Sequence, residues 1–296
     1  MSERSFSAEI GSHGRFDSSA ITHEGAVRKR NEDSYMSCPD LGVWAVADGV
    51  GGHQAGDVAS RTVTDALRTV PLGLDAAQLL IEVRSRLDGA HQELLTQAAS
   101  RGPSTIMAST VVVLLARGDY FACLWAGDSR AYLLRDGLIK QVTHDHSLVQ
   151  EMVDAHAISL EEAETHPQSN VITRAVGSGA SLELDKVSDQ LYSGDRFLLC
   201  SDGLWKTLHA DELAGLLTVD GNAPAEELLA AALERHSNDN VTAVTIEVRN
   251  EDGTAPEPVP RRAPPTAVSD AGDTASPSWL VRLIRKLREI PAKIFS

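Results

Sequence analysis

The chain predicts an α+β fold in which antiparallel sheets are covered by helices. Three observations point that way: a block of short strands in the middle of the chain, helical periodicity on both sides of it, and an alternating last strand over residues 241–248. Strands do not alternate strictly with helices, which argues against a doubly wound parallel sheet. The 296 residues, 42% of them hydrophobic, supply enough apolar surface for a large core.

Residues 1–15 are polar and rich in Gly and Ser and predict a flexible start. Residues 16–22 read as a first strand and 35–37 as a second. The apolar run Val43, Trp44, Ala45, Val46, Ala47 reads as a buried third, ended by Asp48 and the glycines after it. Residues 56–69 place Val58, Ala59, Val63, Ala66 and Leu67 at helical spacing, and residues 75–100 do the same with Leu79, Leu80, Val83, Leu87, Ala90, Leu94 and Leu95. The period then shortens. Residues 107–115, 120–126, 130–135 and 138–142 are rich in β-branched and aromatic side chains and separated by turn residues, Arg135-Asp136-Gly137 being a hairpin signal. They predict an antiparallel meander within one sheet. Residues 144–164 turn helical again, with Leu148, Val149, Met152, Val153 and Ile158 on the apolar side. Strands over 182–191 and 196–200 follow, then helices over 210–217 and 223–234, the second with Pro224 acceptable in its first turn.

Composition narrows the setting. There are 42 acidic against 27 basic residues, for a net charge of −15, which repels nucleic acid and suits a cation-binding site. No apolar run is long enough to span a membrane, and the N-terminus lacks the apolar core of a signal peptide. Cys38, Cys123 and Cys200 have no CxxC spacing and read as small buried hydrophobes of a reducing compartment, so a cytoplasmic protein is expected. Residues 250–277, rich in Pro, Ala and acids, predict a flexible linker. In residues 278–296, Trp279, Leu280, Leu283, Ile284, Leu287 and Ile290 share one helical face, and Arg282, Arg285, Lys286, Arg288 and Lys293 lie largely on the other. Such a basic amphipathic helix suits an anionic membrane surface at the inner face of the membrane, a partner protein, or the acidic body of the chain itself.

The acids at the ends of the strands carry the chemistry. Asp48-Gly49 closes one apolar run and Asp202-Gly203 another; Asp128 ends LWAGDSR, Asp239 precedes the last strand, and Glu32-Asp33 precede the second. Each alone reads as a turn. If the sheets pack face to face, one rim collects them all, and such a set cannot stay ionised without cations. Oxygen ligands without His or Cys point to Mg²⁺ or Mn²⁺. Two such ions sharing a carboxylate lower the pKa of the water between them, giving a hydroxide suited to in-line attack on phosphorus. Arg28, four residues before Glu32, is placed to grip a phosphate bidentately, or else decorates the surface with Lys29 and Arg30.

In order, VRKRNED, VADGVGGH, AST-VVVLL, AGDSRAYLL, THDHS, TRAVG, LLCSDGLW and SNDNVTAV resemble the metal-dependent Ser/Thr protein phosphatases of the PP2C (PPM) family, most of all its compact bacterial branch. The resemblance covers residues 16–249. It implies an α-β-β-α sandwich of two antiparallel sheets flanked by helices, with two metal ions, or three, at one rim. It implies that Asp48 bridges the metals, that the Gly49 carbonyl and Glu32 serve one of them, and that Asp202 and Asp239 hold the other. Asp128 with Asp202 would hold the third ion, Asp33 would stand behind the ligands, and Arg28 would bind the phosphate. Residues 144–166 would form a flap beside the site. Phosphorylated Ser/Thr proteins are the implied substrates, a Ser/Thr kinase the implied antagonist, and a monomer the expected state.

One position departs from the family pattern. Animal members carry a His directly after Asp-Gly as the proposed general acid; here it is Val50. His53 is near, but caps a helix as readily as it donates a proton, and a metal-bound water is the expected donor. Other phosphatase chemistries fail on spacing. A Cys-dependent enzyme needs Arg six residues after Cys, where this chain has Trp44, Ser129 and Lys206, and GVGGHQAG lacks the ending of a P-loop. A non-catalytic relative would have lost acids, whereas Glu32, Asp48, Asp128, Asp202 and Asp239 are all present.

Overall fold

The computed structural model describes residues 6–51, 55–102, 104–218 and 223–250. The readings made for residues 251–296, the linker and the amphipathic helix among them, lie outside the described residues, as does His53. In chain order the elements are β1 (Phe6–His13), β2 (Phe16–His23), β3 (Asp33–Cys38), β4 (Val43–Val50), α1 (Ala55–Arg68), α2 (Ala76–Arg101), β5 (Ala108–Ser109), β6 (Val111–Arg117), β7 (Tyr120–Ala126), β8 (Arg130–Arg135) and β9 (Leu138–Gln141). Then come α3 (Leu148–Asp154), α4 (Leu160–Glu164), β10 (Asp185–Gln190), β11 (Arg196–Cys200), α5 (Asp202–Trp205), α6 (Ala210–Leu217), α7 (Pro224–Glu234) and β12 (Val241–Val248).

Among the described residues the strands form two six-stranded sheets. One runs β1-β2-β12-β11-β8-β9; the other runs β10-β7-β6-β4-β3, with β5 paired to β4. Every pairing is antiparallel. Alternation along the strands builds the layers. Trp44 and Val46 of β4 pack with Phe197 and Leu199 of β11 and Val244 and Ile246 of β12, filling the space between the sheets. Ala45 and Ala47, on the other face of β4, pack with Val63 of α1 and Leu87 of α2. Ile21, Leu198 and Ala243 pack with Leu213 of α6 and Leu228 of α7. The result is helices, sheet, sheet, helices: the predicted sandwich.

Several expectations are corrected. Residues 6–13 are a strand rather than part of a flexible start, closed onto β2 in a hairpin through Gly14 at φ 56°. The meander is divided between the sheets: β6 and β7 belong to one, β8 and β9 to the other. The chain crosses at Gly127, whose φ of 110° only glycine adopts readily and whose missing Cβ admits Thr110. The strand ending in Ala47 continues through Asp48 and Gly49 to Val50, because Gly49 and Val50 find partners in β5. Asp202 opens a short helical turn, α5, rather than a plain turn.

Residues Ser147–Val171 form a small unit of their own. The single helix expected over 144–164 is two. Ser147 caps α3 by accepting from the Gln150 N–H at 3.2 Å, and Ser159 and Glu162 form a capping box on α4. His156 at φ 55° breaks the helical run between them.

Candidate active site

The strand ends that carry the acids meet at one rim of the space between the sheets. In the β3–β4 ladder, Asp33 lies directly opposite Asp48. Successive alternation from Trp44 and Val46 turns Asp48 to the inter-sheet side, and Tyr35 does the same for Asp33. Two carboxylates opposed across a ladder repel. Asp33 is buried and Asp48 partly so, which adds the cost of desolvating a charge. Burial, then Asp33, Asp202, Asp128 and Asp239, holds the Asp48 carboxyl well above the usual carboxylate range. Burial pushes Asp33 up to about 7 against the two hydroxyls that favour its ionised form.

Those hydroxyls belong to a directed chain of hydrogen bonds. The Asn31 side-chain amide donates to Thr22 Oγ1 at 2.8 Å, the Thr22 hydroxyl to Thr242 Oγ1 at 2.6 Å, and the Thr242 hydroxyl to Asp33 Oδ2 at 2.7 Å. Ser201 Oγ donates to the same Asp33 oxygen at 2.7 Å and accepts from the Thr242 backbone N–H at 3.0 Å. Asp33 is thereby tied to β11 and β12 of the opposite sheet.

The Asp48 backbone is held as firmly. Its N–H donates to Thr110 Oγ1 at 3.0 Å, and its carbonyl accepts from the Thr110 N–H at 2.8 Å and from Ser109 Oγ at 3.0 Å. The AST run before β6 thus sets the main chain from which the acid projects. Gly49 and Gly203 follow their acids because another backbone passes against each. A Cβ on Gly49 would lie 1.9 Å from the Gly56 carbonyl oxygen, and one on Gly203 2.1 Å from that of Asn240. Gly56 in turn leaves room for the Glu32 carboxylate, which would lie 2.8 Å from a Cβ there. Burial and Asp57 raise the pKa of Glu32. Asp57, which sequence reasoning missed, keeps its Oδ1 buried without a hydrogen-bond partner among the described residues.

Asp239 is set at the start of β12 by Asn240, whose amide donates to the Glu24 and Arg30 carbonyls at 3.0 and 2.8 Å while its Oδ1 accepts from the Glu32 N–H at 2.8 Å. This one side chain pins the Arg28–Glu32 loop against Asp239. Arg28 Nη2 donates to Asp239 Oδ2 at 2.7 Å, and Lys206 Nζ to Asp202 Oδ2 at 2.7 Å. Asp128 is 4% exposed; burial, then Asp202, pushes its pKa up to about 7. Its carbonyl accepts from Trp205 Nε1 at 3.0 Å, and Trp205 lies under Arg130, which a two-pronged pair with Asp145 immobilises.

The predicted acids therefore share one rim, yet among the described residues no three of them converge closely enough to hold an ion as they stand. Arg28 engages Asp239, and Lys206 engages Asp202. The donor set nonetheless fits hard divalent cations: all-oxygen, mutually repelling, and backed by glycines that admit neighbouring backbone and carboxylate. Sequence reasoning missed Ser201, Thr242, Asn240, Asp57 and Lys206. Of these, Ser201 stood inside LLCSDGLW and Asn240 and Thr242 inside SNDNVTAV, runs already singled out, while Asp57 and Lys206 stood outside those motifs.

A family model described as protein phosphatase 2C matches residues 25–236. The chain belongs to that family. Relatives bear the same stamp. It is 35% identical over 241 residues to the serine/threonine protein phosphatase PstP of Mycobacterium tuberculosis, covering 81% of this chain and 46% of PstP. The chain thus spans about half the length of that relative. PppA, described as a key regulatory component of T6SS in Pseudomonas aeruginosa, superposes with a TM-score of 0.74 at 40% identity, covering 81% of this chain and all of that one. The catalytic domain of PstP in complex with 2 manganese ions superposes with a TM-score of 0.69 at 34% identity, covering 79% of this chain and 99% of that one. The two-sheet sandwich is the protein phosphatase 2C fold, as the sequence motifs implied.

Proposed function

We propose that the chain is a metal-dependent phosphatase of phosphoserine and phosphothreonine in proteins. The observation that carries this reading is Asp33 set opposite Asp48 in the β3–β4 ladder, ringed by Asp128, Asp202 and Asp239, an acidic rim that cations would let stay ionised at neutral pH. Asp48, central to that rim, would bridge two ions. Glu32 and the Gly49 carbonyl would serve one, and Asp202 and Asp239 the other. When bound, Mn²⁺ or Mg²⁺ supplies a water activated at neutral pH and neutralises charge on the transferring phosphoryl group.

The side chains do the rest. Arg28 is 56% exposed and reaches the rim from its loop, so its guanidinium is free to turn from Asp239 to two phosphate oxygens. Asp33, held by Ser201 and Thr242, keeps β3 and β4 in register with the opposite sheet and so holds Asp48 in place. Val50 is exposed and carries no proton, so the leaving alkoxide takes one from water. A Ser/Thr kinase would be the antagonist. The basic amphipathic residues 278–296 would place the enzyme at an anionic membrane surface or on a partner protein. Deleting them is expected to abolish binding to anionic liposomes and spare turnover of p-nitrophenyl phosphate.

The deciding assay is hydrolysis of p-nitrophenyl phosphate and of a phosphothreonine peptide with Mn²⁺. Asp48→Ala is expected to lower kcat by about a hundredfold to a thousandfold, the range for loss of a group that organises the transition state. Full activity in Asp48→Ala, or undiminished wild-type activity in excess EDTA, would overturn the proposal.

A further inference from the structure

We propose that Lys206 is a built-in cation of the acidic rim, occupying the Asp128–Asp202 side in place of a third divalent ion. The inference rests on the metal reading above and deepens it. Lys206 follows α5 and stands four residues after Asp202, so one helical turn brings the two side chains together. Its Nζ lies 2.7 Å from Asp202 Oδ2, and both side chains are largely withdrawn from solvent, at 29% and 15% exposure.

The ammonium is guided there by a fixed wall. Trp205 is clamped between the Arg130 guanidinium, 3.4 Å from its ring centroid, and the Asp128 carbonyl that accepts its N–H. Lys206 Nζ lies 5.2 Å from the same ring centroid, so the indole that anchors Asp128 also borders the ammonium. An ammonium held 2.7 Å from the Asp202 carboxylate places a fixed positive charge on this side of the rim.

Charge balance supports the same conclusion. Lys206 already neutralises Asp202, one of the two carboxylates that a third ion on the Asp128–Asp202 side would need. An ion entering between Asp128 and Asp202 would have to displace an ammonium tethered to the same helical turn, at a high effective concentration.

The test is the number of ions bound. Full-length protein is dialysed to equilibrium against saturating Mn²⁺ and its metal content measured, for wild type, Lys206→Met and Lys206→Arg, with circular dichroism as the check on folding. Two ions per chain are expected in wild type and Lys206→Arg, and three in Lys206→Met. Three ions in the wild type overturn the proposal whether or not the variants fold, and two in a folded Lys206→Met overturn it as well. A wild type that binds no Mn²⁺ overturns the metal reading itself, and this proposal with it.

Discussion

Asp33 and Asp48 illustrate how single residues divide the work of the rim. Asp48 faces other acids, while Asp33 shares one oxygen between the Ser201 and Thr242 hydroxyls. Thr242→Val keeps the shape but removes one donor from a buried carboxylate and leaves the Thr22 hydroxyl without its acceptor. It is expected to cost about 1–3 kcal/mol, read as a lowered urea midpoint at unchanged slope. Arg28 acts on the substrate side. With Mn²⁺ saturating, Arg28→Ala is expected to raise KM for p-nitrophenyl phosphate about tenfold while changing kcat less, a loss of ground-state grip. An unchanged KM would remove its assigned role. At this scale the sequence was legible where acids end apolar runs, since an ionised group at the mouth of a buried strand stands out. It was illegible for Ser201, Thr242 and Lys206. Their types are common on any surface, and only pairing across the two sheets, or one turn of an unforeseen helix, gives them partners.

At the scale of elements, the strands were legible and their distribution between sheets was not. Alternation in β6 to β9 reports which residues face a core, and both faces of an inner sheet of this sandwich are buried, so it cannot say which sheet a strand joins. The switch is local, at Gly127. A Cβ there would meet Thr110 Cβ and Cγ2 at 2.6 Å, and its φ is +110°. Gly127→Ala is therefore expected to destabilise the fold by at least about 2–3 kcal/mol, combining backbone strain with overpacking, and to lower the midpoint of urea unfolding accordingly. Since Asp128 follows directly and Thr110 holds the Asp48 backbone, Mn²⁺ affinity should fall in the same variant. A midpoint equal to that of the wild type would mean that the crossover tolerates a side chain. β1 was missed for a different reason. Its alternation, Phe6, Ala8 and Ile10 against Ser7 and Glu9, is short and lies within a Gly- and Ser-containing start, and β2 offers it an edge to pair with.

Over the whole molecule, the acidic rim makes stability depend on pH in a direction opposite to that of a salt-bridged carboxylate. In the metal-free chain Asp33 and Asp128 titrate at about 7, and Asp48 stands well above its ordinary value, against 3.8 for each of these carboxyls unfolded. Between those limits the folded chain holds protons that the unfolded chain has released. Stability therefore falls as pH rises from about 4 to 7. Buried His91 and His146, whose pKa values are lowered from 6.5, act in the other sense, losing stability as pH falls below that value. The acids are isolated by comparison with Asp33→Asn/Asp48→Asn, in which the fall between pH 5 and 7.5 in EDTA should be flattened. A divalent cation binds the deprotonated acids and competes with the protons. Mn²⁺ is accordingly expected to raise the melting temperature of the wild type by several degrees more at pH 7.5 than at pH 5, and to do little for the double variant at either. Equal shifts at the two pH values would mean that the ion binds away from the rim, whereas the expected difference ties folding, charge and catalysis to the same carboxylates.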